Sequence, residues 1–341
     1  MEEPDRVPIY ELAINAPVAK AVLGRMPRVD AYLLVDAEDY YDVYVGFGLD
    51  AMTMWDVGLP VKYVDAETFI DDWGRLWRKS EHSQVTYYLN GTIRSPEDLE
   101  GFSPPDPYDD RRLEPLRRLI KMNRANLAII GGIHDAFEIP SMMRGIDAFL
   151  LDYYRNPEFA ERLIEMNVEY NVELAKAMID LGVDALITGD DYAYKKGPLM
   201  CPEHFKRFIA PYLKRIAETC HRKSILMIKH TDGYLWPIID DIINAGVDAL
   251  HPIEPQARMN LSEVKDLYGD SICIVGNVDV SSVLPLGTVD ETVMDVKRCL
   301  REAADGGGYI LSSSNSIHDS VKPENFRVMI KAAKKYGRYS P

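Results

Sequence analysis

The sequence predicts an α/β protein of the (β/α)8 TIM-barrel class, with a hairpin inserted in its N-terminal half. Three observations lead there. Eight short apolar runs alternate with amphipathic helices along 341 residues. Most of the runs lack polar–apolar alternation, as expected of strands covered on both faces. Several end abruptly in His, Glu, Asp, Asn or Ser, which is how parallel strands deliver reactive side chains to the open end of a barrel. A doubly wound sheet would satisfy the alternation too, but no GxGxxG follows the first run.

In chain order the predicted strands are residues 7–12, 50–55, 126–131, 184–188, 224–229, 248–252, 272–275 and 308–311. Gly48-Leu-Asp-Ala, Gly182-Val-Asp-Ala and Gly246-Val-Asp-Ala repeat one junction. The glycine supplies a left-handed helix cap, and Asp-Ala opens the next strand. Gly145-Ile-Asp-Ala shares the pattern but runs into residues 150–157, which read as helix. Between strands, Asn156-Pro-Glu, Pro202-Glu-His and Asp290-Glu-Thr open helices with apolar residues at helical spacing. Residues 67–92, with Phe69, Trp73, Trp77 and a Val-Thr-Tyr-Tyr-Leu run, break the rhythm and are read as the inserted hairpin. The whole chain, 1–341, is expected to form one barrel domain.

Composition narrows the function. Hydrophobic residues make up 47% of the chain, ordinary for a globular core. The formal net charge of −15 argues against nucleic acid or an anionic membrane as the main partner. No apolar run approaches the ~20 residues needed to cross a bilayer, and the first residues lack the apolar core of a signal peptide, so the expected location is cytoplasmic. The four cysteines form no CxxC pair and suggest no disulfide framework.

The strand ends carry the chemistry. Ile225-Leu-Met-Ile-Lys-His-Thr-Asp-Gly233 ends in His230 and Asp232; Glu254 ends the next strand, and Asp190-Asp191 the one before. Such groups can converge on one divalent metal, with His230 and Glu254 as ligands and zinc accepting the nitrogen–oxygen set. Equally, His230 can bond a loop and the carboxylates can cap helices. Adjacent carboxylates point to opposite sides of an extended backbone, so one of Asp190 and Asp191 faces the pocket as ligand, base or anchor. Trp55, Tyr192, Asn277, Asn315 and His318 follow strand ends and are candidates for holding substrate. His134 and Glu138 follow the third strand in the same manner, with the bland reading of loop residues favoured.

Gly189-Asp-Asp-Tyr, Pro198-Leu-Met-Cys-Pro-Glu, Pro211-Tyr-Leu-Lys-Arg, His230-Thr-Asp-Gly, Gly246-Val-Asp-Ala-Leu-His-Pro-Ile-Glu-Pro and Gly276-Asn-Val-Asp together resemble the uroporphyrinogen decarboxylase superfamily, particularly its corrinoid-dependent methyltransferase branch. The resemblance spans nearly the whole chain and implies a (β/α)8 barrel. The decarboxylases carry an arginine-rich segment after the first strand for porphyrin carboxylates. Here that segment reads Tyr10-Glu-Leu-Ala-Ile-Asn-Ala-Pro, acidic and apolar. The coenzyme M methyltransferases hold zinc with H-x-C and a later cysteine. The matching positions here are His230, Asp232 and, roughly, Asn315, so the histidine is kept and both thiolates are absent. A harder oxygen–nitrogen set suits polarising an ether oxygen rather than activating a thiol. The resemblance therefore implies demethylation of a small methylated substrate, a methoxylated aromatic first among them. The methyl would pass to the Co(I) corrinoid of a partner protein, with Asp190 or Asp191 completing the metal set or giving a proton to the leaving group. It also implies that the barrels pair as a homodimer. Two other readings remain: a metal-independent decarboxylase of a small carboxylated substrate, and a non-catalytic barrel that binds a corrinoid protein.

Overall fold

The computed structural model describes residues 2–28, 36–79 and 86–339. Seven strands form one parallel sheet: β1 (Ala51–Trp55), β6 (Ala128–Ile133), β7 (Ala185–Thr188), β10 (Leu226–His230), β11 (Ala249–His251), β12 (Cys273–Val278) and β13 (Tyr309–Ser313), adjacent in that order. The eighth expected strand, residues 7–12, is not a regular strand. It nonetheless pairs with both edges: Ile9 bridges Leu311 in parallel, and Asp50 donates its N–H to Ile9 O at 2.9 Å. That segment closes the ring into a barrel.

The glycine–aspartate repeat has a structural reason. Gly48, Gly182 and Gly246 have φ of 82°, 102° and 93°, where a side chain would be strained. The aspartate two residues on then exchanges two hydrogen bonds with the neighbouring strand. Asp184 donates its N–H to Ile129 O (2.8 Å) and accepts the Ile129 N–H on Oδ2 (2.7 Å). Asp248 does the same with Met227, and Asp50 with Ile9. Each carboxylate thus pins the register at the floor of the barrel. Gly145 instead separates two helices, Glu138–Arg144 and Ile146–Arg155, so the match there is helical as expected.

Strand ends reach further than apolar runs suggest. β12 continues through Gly276 and Asn277, and β13 through Ser312 and Ser313. Backbone pairing is indifferent to side-chain polarity, so the ladder runs on into the polar residues that line the mouth. The insertion is larger than a hairpin. β2 (Pro60–Tyr63), β3 (Thr68–Asp71), β4 (Arg75–Lys79) and β5 (Thr86–Gly91) form a four-stranded antiparallel sheet, although residues 80–85 lie outside the described residues. A short two-stranded pair, β8 (Ala193–Tyr194) with β9 (Gly197–Pro198), follows β7.

Two apolar regions result. Tyr10, Leu12, Ile130, Ile187, Ile228 and Val275 fill the barrel's interior, with Trp55 packed on them. A larger core fills the space between sheet and helices and includes Trp73, fully buried edge-on against Tyr170. Alternation along each strand fixes which side chain belongs to which region. Ile228 faces inward, so His230 and Asp232 continue that face at the mouth. Ile187 faces inward, so Asp191 does too, whereas Asp190 turns toward the helices.

Candidate active site

The mouth is built from the loops that follow β7, β10, β11 and β13. Ligand atoms of Asp191, His230 and Asp232 lie within 4.8 Å of one another. Asp191 Oδ1 is 3.8 Å from His230 Nε2 and also accepts the Asp232 N–H at 2.9 Å. Asn315, arriving from β13, donates its amide to Asp232 Oδ2. Glu254, arriving from β11, accepts the Gly233 N–H on Oε2 at 2.9 Å, one step back from the other three. Glu254, Asn315 and His318 together line a cleft of about 280 Å³.

The protonation of His230 follows from its neighbours. Its Nδ1 lies 2.8 Å from His251 Nδ1, and His251 Nε2 lies 3.3 Å from Ser312 Oγ. Burial pushes His230 down to about 4, and burial with His230 beside it pushes His251 well below its ordinary range. Two neutral rings can share this contact only if one Nδ1 donates and the other accepts. Ser312 Oγ can accept from His251 Nε2 or donate to it; where it accepts, His230 donates from Nδ1. That tautomer leaves a lone pair on His230 Nε2, the atom facing Asp191. A buried relay that fixes a histidine's tautomer is a hallmark of the shell behind a metal ligand.

The carboxylates fit a cation as well. Asp232 Oδ1 is buried and finds no hydrogen-bond partner among the described residues. Burial, with Asp191 and Glu254 adding negative charge, pushes Asp232 up to about 8. A divalent ion would supply the missing positive charge and the missing partner at once. One imidazole nitrogen and two carboxylates form a donor set that zinc accepts.

A second layer stands behind the first. Lys229, buried, contacts Asp135 Oδ2 at 2.6 Å and Asp190 O at 2.9 Å, and its ammonium sits over the Tyr192 ring. Tyr192 donates its hydroxyl to Asp135 Oδ1 at 2.6 Å. Asp190 is fully buried and accepts backbone N–H groups from Asp135, Phe137 and Glu138, with His134 Nδ1 at 3.0 Å.

Trp55 ends β1 and lies over β6 and the residue that follows β7. A Cβ on Gly132 would fall 2.5 Å from the indole, and one on Gly189 2.6 Å from it. Both glycines therefore make room for this ring.

Of the residues singled out from sequence, Asp191, His230, Glu254 and Asn315 meet at one place, and Trp55 lies over β6. Asp190 and Tyr192 stand in the layer behind. Asn277 commits its amide to Ile253 O and its oxygen to Arg298. His318 donates from Nε2 to Val280 O and accepts from Ser320 N–H. Sequence reading missed His251, which sits in an apolar strand before a proline, and Asp135 and Lys229, whose partnership is invisible without the fold. Their one signal was a charged side chain in or beside an apolar run.

A closed parallel barrel with a titratable cluster at the carboxyl ends of its strands is an enzyme-type (β/α)8 architecture. Residues 81–336 match the uroporphyrinogen decarboxylase (URO-D) family, and the chain belongs to that family. The chain is 24% identical to methylcobamide:CoM methyltransferase MtaA of Methanosarcina barkeri, over 71% of this chain and 69% of that one. It is 25% identical to methylcobamide:CoM methyltransferase MtbA of Methanosarcina acetivorans, over 75% and 72%. A uroporphyrinogen decarboxylase of Trichlorobacter lovleyi is 24% identical over 70% and 69%. In three dimensions a methyltransferase from Methanosarcina mazei superposes with a TM-score of 0.78 at 20% identity, covering 98% of this chain and 95% of that one, which establishes the shared fold. Among the described residues no helix is long and apolar enough to cross a membrane.

Proposed function

We propose that this protein is a corrinoid-dependent methyltransferase that removes a methyl group from a small O-methylated substrate and passes it to the reduced corrinoid of a partner protein. The observation that carries this reading is the trio Asp191, His230 and Asp232, with a buried, unpartnered oxygen on Asp232. Relatives named as methylcobamide:CoM methyltransferases support the use of a corrinoid, while the acidic mouth argues against the polycarboxylate of a porphyrinogen.

In this reading His230, Asp191 and Asp232 would hold zinc, with Glu254 as the nearest further carboxylate. The metal would supply a Lewis acid toward the substrate's ether oxygen. The chain's own residues do the rest. The His251–Ser312 relay holds the His230 ring and its tautomer. Asn315 holds Asp232. Trp55 offers a flat apolar wall for an aromatic group, and Asp190 with Tyr192 and Lys229 stiffens the floor. The partner is a corrinoid protein, and the protein is proposed to work as a cytoplasmic, single-domain barrel that pairs with a second copy.

Two measurements test this. Metal analysis of the purified protein should find about one zinc, lost in His230→Ala; full retention in that variant would remove His230 from the ligand set. Incubation with a reduced corrinoid protein and a panel of methoxylated aromatics, methylamines and betaines should produce the absorption change of corrinoid methylation with the methoxy compounds. Release of CO2 from a carboxylated compound, with no corrinoid change, would instead establish a decarboxylase.

A further inference from the structure

His134, which follows β6, is a histidine that the metal trio leaves unused. It lies in the register of Ile130 and Gly132, so it continues an inward-facing row. Its ring lies beside Trp55, with centroids 6.2 Å apart. Its Nδ1 is 3.0 Å from Asp190 Oδ1. Asp190 already accepts the backbone N–H groups of Asp135, Phe137 and Glu138, the surroundings of an ionised carboxylate. An ionised Asp190 only accepts, so His134 Nδ1 carries a proton. Nε2 makes no hydrogen bond to any described residue, and the ring is 16% exposed.

An imidazole oriented from behind by a buried carboxylate, with its far nitrogen partly exposed and unbonded, is the arrangement that acid–base catalysis uses. Three charged groups face it. Glu138 Oε2 stands 3.6 Å from Nδ1, Asp190 lies behind, and Arg75 of the inserted sheet acts in the opposite sense. Asp191 is felt through Glu138. Burial disfavours charge on His134, but Glu138 and Asp190 outweigh it and carry the imidazole above its ordinary value.

We propose that His134 is the catalytic proton donor of this site, giving the proton on Nε2 to the oxygen from which the methyl group departs, with Asp190 as its positioning residue and Trp55 as the wall for the oxygen-bearing ring. This rests on the methyl-transfer reading above. The C–O bond breaks with its electron pair left on oxygen, and the methyl carbon is taken by the electron pair of the partner's reduced corrinoid. The oxygen takes the proton from His134, and an alcohol or phenol leaves with His134 neutral. The substrate class is accordingly an ether with a basic leaving oxygen, for which protonation matters most.

The test uses His134→Gln at matched metal content, with Asp190→Asn as a second variant. In the first arm the protein is titrated with 4-nitrophenol, whose visible band separates phenol from phenolate. The wild type should lower the pH at which the bound dye ionises, and the shift should disappear in His134→Gln and shrink in Asp190→Asn. An equal shift in all three proteins would overturn the proposal. In the second arm, methyl transfer from a poorly activated aryl ether should fall about 10²–10⁴-fold in His134→Gln, the usual worth of a general acid. Transfer from nitroanisole, whose leaving group needs no proton, should fall about tenfold or less. Equal losses for the two ethers would assign His134 a merely structural role. Failure of the wild type to demethylate any ether would refute the proposed function alone, and the dye arm would still decide on His134.

Discussion

Glu11 shows how one buried side chain couples stability to pH. It lies wholly out of solvent, and burial pushes it up to about 8 against hydrogen bonds from Ser313 that pull the other way. The geometry agrees. Ser313 Oγ is 2.7 Å from both Glu11 Oε2 and Asn315 O. A hydroxyl has one proton and a carbonyl only accepts, so the proton in the contact with Glu11 comes from Glu11 itself. The folded protein therefore holds a proton that the unfolded chain releases near the ordinary value of 4.5. Between about 4.5 and about 8 the native state binds more protons, and stability falls as pH rises across that window. Glu11→Gln keeps both contacts without the titration. Its thermal midpoint should exceed that of the wild type at pH 8 and match it at pH 4.5; equal differences at both would refute a neutral Glu11. Because Ser313 also anchors the loop carrying Asn315, the same contact bears on the position of Asp232.

At the scale of elements, the glycine–aspartate junction is the repeated unit. The aspartate is placed by the cap of one helix and holds the start of the neighbouring strand. Asp184 tests this with the fewest complications, since its carboxylate contact is with Ile129 N–H. Asp184→Ala should cost about 1 kcal/mol in denaturant unfolding, the ordinary net worth of such a bond. Asp184→Asn, which retains an acceptor oxygen, should cost less than half of that. Equal losses would mean that charge, not the hydrogen bond, matters there. The four-stranded insertion is an element of another kind. It packs Trp73 into the main core, and Asp71 accepts from both Arg75 Nε and Trp77 Nε1 at 2.8 Å. It also brings Arg75 to the neighbourhood of His134 and Glu138.

For the whole molecule, a metal held by residues from two strand ends and a neighbouring loop links binding to global folding, because the trio does not exist in the unfolded chain. Chelation should therefore lower the thermal midpoint. Free metal at a hundredfold its dissociation constant contributes about 2.7 kcal/mol, on the order of 5 °C for a barrel of this size. His230→Ala should show no change on chelation. A wild-type midpoint insensitive to chelator would argue against a structural and functional metal at this mouth.

The sequence by itself determined the barrel, the order of its strands, and that polar side chains gather where those strands end. Those properties are local. Apolar runs, capping glycines and the two-residue period of a strand are written within a few neighbouring positions, and they were enough to predict that only one of Asp190 and Asp191 faces the pocket. Only the tertiary structure decided which of these side chains meet. His230 owes its tautomer to His251 and Ser312 on other strands, Asp232 owes its orientation to Asn315 eighty-three residues away, and His134 owes its proton to Asp190. The insertion's first strand, Pro60–Tyr63, was equally illegible, being largely exposed and without alternation. Convergence depends on how strands are staggered around the ring and how loops return across it. Those contacts join residues far apart in the chain, so no local pattern encodes them.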